Sequence, residues 1–184
     1  MKLARILYRA HQFWQALVKK PTKSDLEFVE SLLTPSEYLL FRRMHWSEQA
    51  HGLRVLRSLL DRGEHHPDLL KAALLHDVGK SCFPLRLWER VVIVVAKAVV
   101  PGRVIRWGAS PMLENQAPAD WRRGFIISEQ HPGWGARMAA EAGMSPLAIA
   151  LIRYHQNGMS DVGKFSHSLD RHLLHVLQAA DEES

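Results

Sequence analysis

His76 and Asp77 stand side by side at the end of an apolar run, Ala73-Leu74-Leu75-His76-Asp77-Val78-Gly79-Lys80. A carboxylate buried in such a run is costly unless something neutralises it, and a divalent cation would do so. Successive helical side chains diverge by about 100°, yet both can reach one ion lodged beside the helix. Imidazole and carboxylate ligands suit Fe or Mn, and also Zn, Co or Ni. The chain carries 11 histidines in 184 residues, an unusual count, so their spacing bears on any metal site. Its single cysteine, Cys82, excludes a disulfide framework and a Cys-rich zinc site. Gly-rich phosphate loops and the GxGxxG dinucleotide fingerprint are both missing from the sequence.

Further His and Asp residues flank the doublet in a definite order. His51 stands in Gln49-Ala50-His51-Gly52-Leu53-Arg54-Val55, and His131 in His131-Pro132-Gly133-Trp134-Gly135-Ala136. His155 stands in Ile152-Arg153-Tyr154-His155-Gln156, and Asp181 follows Ala179-Ala180. With the doublet and Lys80 just after it, residues 45–181 resemble the HD-domain (HDIG-type) metal-dependent phosphohydrolases. That family's pattern is a His on an upstream helix, a His-Asp pair, in many members two further single His, and a C-terminal Asp. The chain departs from members that cleave cyclic di-guanylate: Gln156 and Asn157 follow His155, and no Gly-Tyr-Pro element is present.

The resemblance implies an all-α fold, an HD-domain-like helical bundle with a metal site between helices. It implies two divalent transition-metal ions. His51, His76, Asp77 and Asp181 would hold one, and Asp77 would bridge to a second held also by His131 and His155. Two ions about 3.5–4 Å apart can share a hydroxide and clamp the attacking and leaving oxygens of a phosphoryl group, with no Ser or Cys nucleophile. The implied activity is hydrolysis of a nucleotide or cyclic (di)nucleotide phosphodiester, with a small phosphorylated substrate as partner. Asp77 and Lys80 are the expected catalytic residues. Lys80 is either a point charge on a phosphate oxygen or a cation complementing the dipole at a helix C-terminus. Arg153, two residues before His155, is an expected substrate contact. Two other readings use the same ligands: a di-iron oxygenase, and a metal-stabilised signalling domain without catalysis.

The other histidines have simpler roles. His65 and His66 fall in a loop bounded by Gly63 and Pro67 and are expected to be solvated. His45, read as helical and six residues before His51, is expected at the surface. His167, His172 and His175 lie on or near the last helix; His175, six residues before Asp181, could approach the site, but a core or surface place is expected. His11 belongs to a basic N-terminal face.

The elements that must position these residues read as helices. Residues 3–19 place Leu3, Ile6, Leu7, Phe13, Trp14 and Leu17 on one side. Ser24 with Glu27 predicts a capped helix over 24–33. Thr34-Pro35-Ser36 breaks the chain, and apolar steps of three to four residues predict one helix over 37–62. Asp68 would cap a helix that stops at Gly79. Five consecutive β-branched residues, Val91–Val95, suit a strand, but no second strand-like run exists to pair with it. A wheel groups Trp88, Val91, Val92, Val95 and Val99 on one face and Arg86, Arg90 and Lys97 on another, so residues 85–100 are read as a helix. Residues 101–120 read as a connection, Pro132 as the start of a helix to about Ala142, and Ser145-Pro146 as the start of another through His155. Asn157-Gly158 marks a turn, and a last helix covers about 169–180. The domain reading is an N-terminal helical segment, 1–36, then an HD-type domain, 37–184, with an insertion at about 81–124.

An apolar share of 47% and a charged share of 23% exclude a disordered or fibrous chain. The net charge is +5, unevenly spread: residues 1–20 carry five Lys/Arg and no acid, residues 84–124 sum to +4, and the rest to −4. Such basic segments are either solvated faces or contacts to an anionic membrane surface or a nucleic acid; the apolar faces beside them could equally pack on the domain itself or on a second subunit in a homodimer. Sequence-specific nucleic-acid binding is not expected. The N-terminus lacks the uncharged core of a signal peptide, and the run Val91–Val100 is too short to span a bilayer. The expected location is cytoplasmic, with peripheral membrane contact as an option.

Overall fold

A computed structural model describes residues 20–109, 121–156 and 168–184. Among these residues the chain is all-α, with nine α-helices, one short 3-10 turn and no strand. The helices are α1 (Lys23–Leu32), α2 (Pro35–Arg43), α3 (Trp46–Asp61), α4 (Pro67–Leu75), α5 (Leu87–Val99), α6 (Pro101–Gly108), α7 (Arg123–Glu141), α8 (Pro146–Tyr154) and α9 (Ser168–Glu183). The 3-10 turn, Val78–Cys82, follows α4. The predicted helix over 3–19, the turn at Asn157-Gly158, and the residues His11 and His167 lie outside the described residues.

Side-chain caps set most helix starts. Thr22, not Ser24, caps α1: its hydroxyl accepts from the Asp25 amide at 3.2 Å, and the Asp25 carboxylate accepts from the Thr22 amide at 2.8 Å. Thr34 and Glu37 repeat this reciprocal cap at α2. The single helix predicted over 37–62 is two helices. Met44 turns extended after α2 and buries its side chain, and the His45 imidazole caps α3 by accepting from the Ser47 amide at 3.3 Å. Gln49 supports the break, donating to the carbonyls of Phe41 at 3.1 Å and Met44 at 3.0 Å. Those carbonyls would otherwise be orphans of a helix end.

Three further boundaries differ from expectation. His66, rather than Asp68, caps α4, which stops at Leu75 before the 3-10 turn. Residues 101–108, read as connection, form α6 with Pro101 in its first turn. Pro132 does not open a helix but lies inside α7. A proline in a helix interior forfeits a hydrogen bond, at roughly 3 kcal/mol. Burial of Phe125, Ile126 and Ile127 in the turns before it offsets that cost. The predicted start of α8 at Ser145-Pro146 holds, with the Ser145 hydroxyl accepting from the Ala148 amide at 3.0 Å.

The main core joins Leu53, Leu56 and Leu59 of α3, Leu69 and Leu74 of α4, Leu151 and Ile152 of α8, and Leu173, Leu174 and Leu177 of α9. Val29 and Leu33 belong to it too, so the boundary expected at residue 36 does not divide the packing. The segment expected as an insertion builds a second, small cluster of Ile93, Val104 and Phe125, with Leu85, Ala96 and Trp107 against it. Helix α5 forms as its wheel predicts, but its apolar stripe is not the face that packs.

Candidate metal centre

Helices α4 and α8 deliver a histidine by the same local device. Each is nine residues long, starts with proline, and ends in a histidine that keeps helical dihedrals at the C-cap. His76 Nδ1 lies 2.9 Å from the Ala73 carbonyl, and His155 Nδ1 lies 2.8 Å from the Ile152 carbonyl. On α7, His131 Nδ1 lies 3.1 Å from the Ile127 carbonyl. A carbonyl can only accept, so each Nδ1 donates, and the neutral ring turns an Nε2 lone pair inward. This is the arrangement that orients metal-binding imidazoles. All three Nε2 atoms are buried and lack a hydrogen-bond partner among the described residues. Buried polar atoms are rarely left so.

Asp77 stands at the N-cap position of the 3-10 turn but makes no capping bond there, and divides its two oxygens between other neighbours. Oδ1 lies 3.1 Å from His131 Nε2 and 3.9 Å from His155 Nε2. Oδ2 lies 3.7 Å from His76 Nε2 and 2.6 Å from Lys80 Nζ. At the mouth, Asp181 Oδ1 stands 2.7 Å from His51 Nε2 and 3.5 Å from His76 Nε2. His51 is held differently from the other three, with Arg54 donating to its Nδ1 at 3.4 Å. All six residues expected as ligands therefore converge. Three groups have ligand atoms within 4.8 Å of one another: His51, His76 and Asp77; His76, His155 and Asp181; and Asp77, His131 and His155. These clusters could hold metal ions.

The convergence depends on a close approach. A Cβ on Gly79 would stand 2.0 Å from the His131 carbonyl oxygen and 2.7 Å from the Gly135 amide nitrogen. Only a glycine lets the 3-10 turn lie against α7 there, which brings Asp77 to His131. Gly52 does the same for α3 and α4, where a Cβ would meet the Leu74 carbonyl oxygen at 2.9 Å.

The charges are strongly coupled. Without an ion bound, burial disfavours a charged His76, but the carboxylates of Asp77 and Asp181 outweigh burial and raise it to about 9. Burial also opposes ionised carboxylates. Lys80 and His76 nonetheless hold Asp77 well below the usual range, and His76 and His51 do the same for Asp181. Burial lowers His131, and it pushes His155 down to about 3, helped by the neighbouring His76 and His131. Lys80 is raised despite burial by Asp77 and Glu48.

A cavity of about 660 Å³ opens onto the cluster, lined by His51, Asp77 and Lys80. Glu48, Arg54, Arg90 and Lys97 also line it and were not singled out from sequence. Glu48 and Arg54 lie three residues either side of His51, the spacing that places side chains on one helix face; that signal was available. Glu48 pairs with Arg90 of α5 and lies 3.7 Å from Lys80 Nζ. Arg153, the expected substrate contact, is exposed and is not among the cavity-lining residues. Two helical residues turn through about 200°, so Arg153 points away from the side that His155 presents. His65 is exposed as expected, whereas His66 is half-buried as the cap of α4; His172 and His175 are exposed and do not enter the cluster, and His45 is exposed as the cap of α3.

No family model, no curated protein and no solved structure matches this chain.

Proposed function

We propose that the chain is an HD-type metal-dependent phosphohydrolase acting on a small phosphorylated substrate, with a nucleotide or cyclic nucleotide phosphodiester as the favoured class. The observation that carries the reading is the set of three buried, unpartnered Nε2 atoms facing Asp77 and Asp181. Four scattered segments and the doublet supply these groups, and their order along the chain is the order of the family it resembles. His51, His76, Asp77 and Asp181 would hold one ion, and Asp77, His131 and His155 a second. Fe or Mn suits this mixed imidazole and carboxylate set, and Zn, Co or Ni can also be held by it. Bound divalent ions supply Lewis acidity toward a phosphoryl group and lower the pKa of attacking water.

The chain's own residues do the rest. Asp77 offers one oxygen to each group of histidines. Lys80, on the Asp77 Oδ2 side, is the cation closest to the cluster and bears on a phosphate oxygen. Arg54, Arg90 and Lys97 make the cavity attractive to an anion. His51 must give up its bond to Asp181 to serve as a ligand.

The test is metal analysis of the purified protein followed by a screen of nucleotides, cyclic nucleotides and a generic phosphodiester. Close to two transition-metal ions per chain and phosphodiester cleavage are expected, and Asp77→Ala should lose both ions. Two ions retained in that variant would overturn the assignment. Oxygen consumption by an iron-loaded protein without cleavage would favour the oxygenase reading, and metal without either activity the signalling reading.

A further inference from the structure

Helix α5 is built inside out. Its inward arc carries Glu89, Ile93, Ala96 and Val100, and its charged residues are spent on anchoring. Glu89 is buried and accepts from Arg123 of α7 at 2.6 and 2.7 Å, and Arg90 pairs with Glu48 of α3. Trp88, Val91, Val92, Val95 and Val99, on the opposite arc, are between 43% and 70% exposed. At 100° per residue these five positions span about 100°, with no charge among them. Scattered exposed valines need no explanation, but a continuous stripe along a 13-residue helix marks an interaction surface.

The charge next to the stripe identifies the partner. Arg103 and Arg106 are exposed on α6, which follows α5 directly and shares a small core with it through Val104 and Ile93, and the one acid in residues 84–109 is the buried Glu89. Arg103 and Arg106 make no ion pair among the described residues. A second copy on this face, related by a two-fold axis, would set these cations against their own counterparts with no acid to meet them. An anionic bilayer supplies the missing charge and takes valine and tryptophan side chains into its interface. Among the described residues no helix is long and apolar enough to cross a membrane, so α5 would lie in the interface plane.

We propose that the outward face of α5, with Arg103 and Arg106 of α6 beside it, is a docking surface for anionic lipid membranes. Ile93 and Val94 of the same helix line the cavity, so one element carries both the docking surface and part of the cavity wall.

The test is flotation of the full chain with vesicles of phosphatidylcholine alone or mixed with phosphatidylglycerol. Binding to the mixed vesicles at low salt, weakened by added salt, is expected. Val92→Glu with Val95→Glu should abolish it at unchanged helicity. Arg103→Ala with Arg106→Ala, which leaves the stripe intact, should weaken it roughly thirtyfold, from about 1 kcal/mol per basic residue near the surface. No binding to the mixed vesicles would overturn the proposal. Binding undiminished in both variants would also overturn it, by placing the contact elsewhere in the chain. A wild-type dimer that Val95→Glu dissociates, without vesicle binding, would assign the face to a second copy instead.

Discussion

His76 is the residue on which the charge balance of the site turns. Its raised value of about 9, against an ordinary 6.5, has a definite sign. In protein stripped of metal, the stabilisation from charged His76 is fully present below about pH 6.5 and is lost as pH rises toward 9. Metal binding must displace that proton, so affinity should rise over the same interval. Thermal melts should therefore show opposite trends between pH 6.5 and 9: falling for the stripped protein, and steady or rising with Mn added. A stripped protein with no alkaline fall would mean that His76 is neutral beside Asp77 and Asp181. Lys80 tests a different charge. Its Nζ lies between Asp77 and Glu48, and about a fifth of its side chain is exposed. Lys80→Ala should keep the ions yet slow cleavage about a hundredfold, the usual effect of removing one stabilising group from a reacting anion. It should also destabilise the stripped protein by about 2 kcal/mol, below the range for breaking a fully buried pair because the site is partly wet. Unchanged turnover would leave Lys80 a helix-terminal cation only.

At the scale of elements, the site is a problem of packing distance. Helices α4 and α8 each end on a histidine whose Nδ1 is tied to the carbonyl three residues earlier, so both rings are aimed by their own helix. The 3-10 turn then has to lie against α7 for Asp77 to meet His131, and Gly79 permits it. Gly79→Ala forces backbone apart, since the atoms in the way are the His131 carbonyl and the Gly135 amide. It should cost about 2 kcal/mol or more and reduce the stoichiometry of bound metal. The measurement is a denaturant melt beside metal analysis. Wild-type stability and two bound ions in Gly79→Ala would show that the approach is not needed.

For the molecule as a whole, the centre joins segments from residue 51 to residue 181, and α3, α4, α7, α8 and α9 each contribute to it. A ligand bound only by the folded state stabilises it by mass action. An ion at about a hundred times its Kd adds about 2.7 kcal/mol, roughly 5–10 °C for a domain of this size. Chelation should lower the melting temperature by that amount, and Mn or Fe should restore it. Calcium should not, because it favours sites made of oxygen ligands. Equal melting temperatures with chelator and with metal would mean that the histidines are satisfied by water alone.

The local pattern of the chain determined that the described fold is helical. It also marked the residues that now cluster, because apolar periodicity and a His-Asp doublet are properties of neighbouring residues. The breaks were less legible. Residues 37–62 carry one continuous period, yet Gln49 binds the carbonyls at the end of α2 and makes two helices stable, a contact across eight residues. Pro132 reads as a start but sits within α7, because burial of Phe125, Ile126 and Ile127 outweighs the lost hydrogen bond. Arg153 is near His155 in sequence and points away from it in space. The reversal of α5 was the hardest to foresee: a wheel separates its valines from its charges, but cannot say which face meets the core. That was decided by Glu48 and Arg123, which lie on distant helices and draw Arg90 and Glu89 inward. Ion pairs between segments far apart in sequence leave no periodic trace in either one, so only the tertiary structure could assign the outward face.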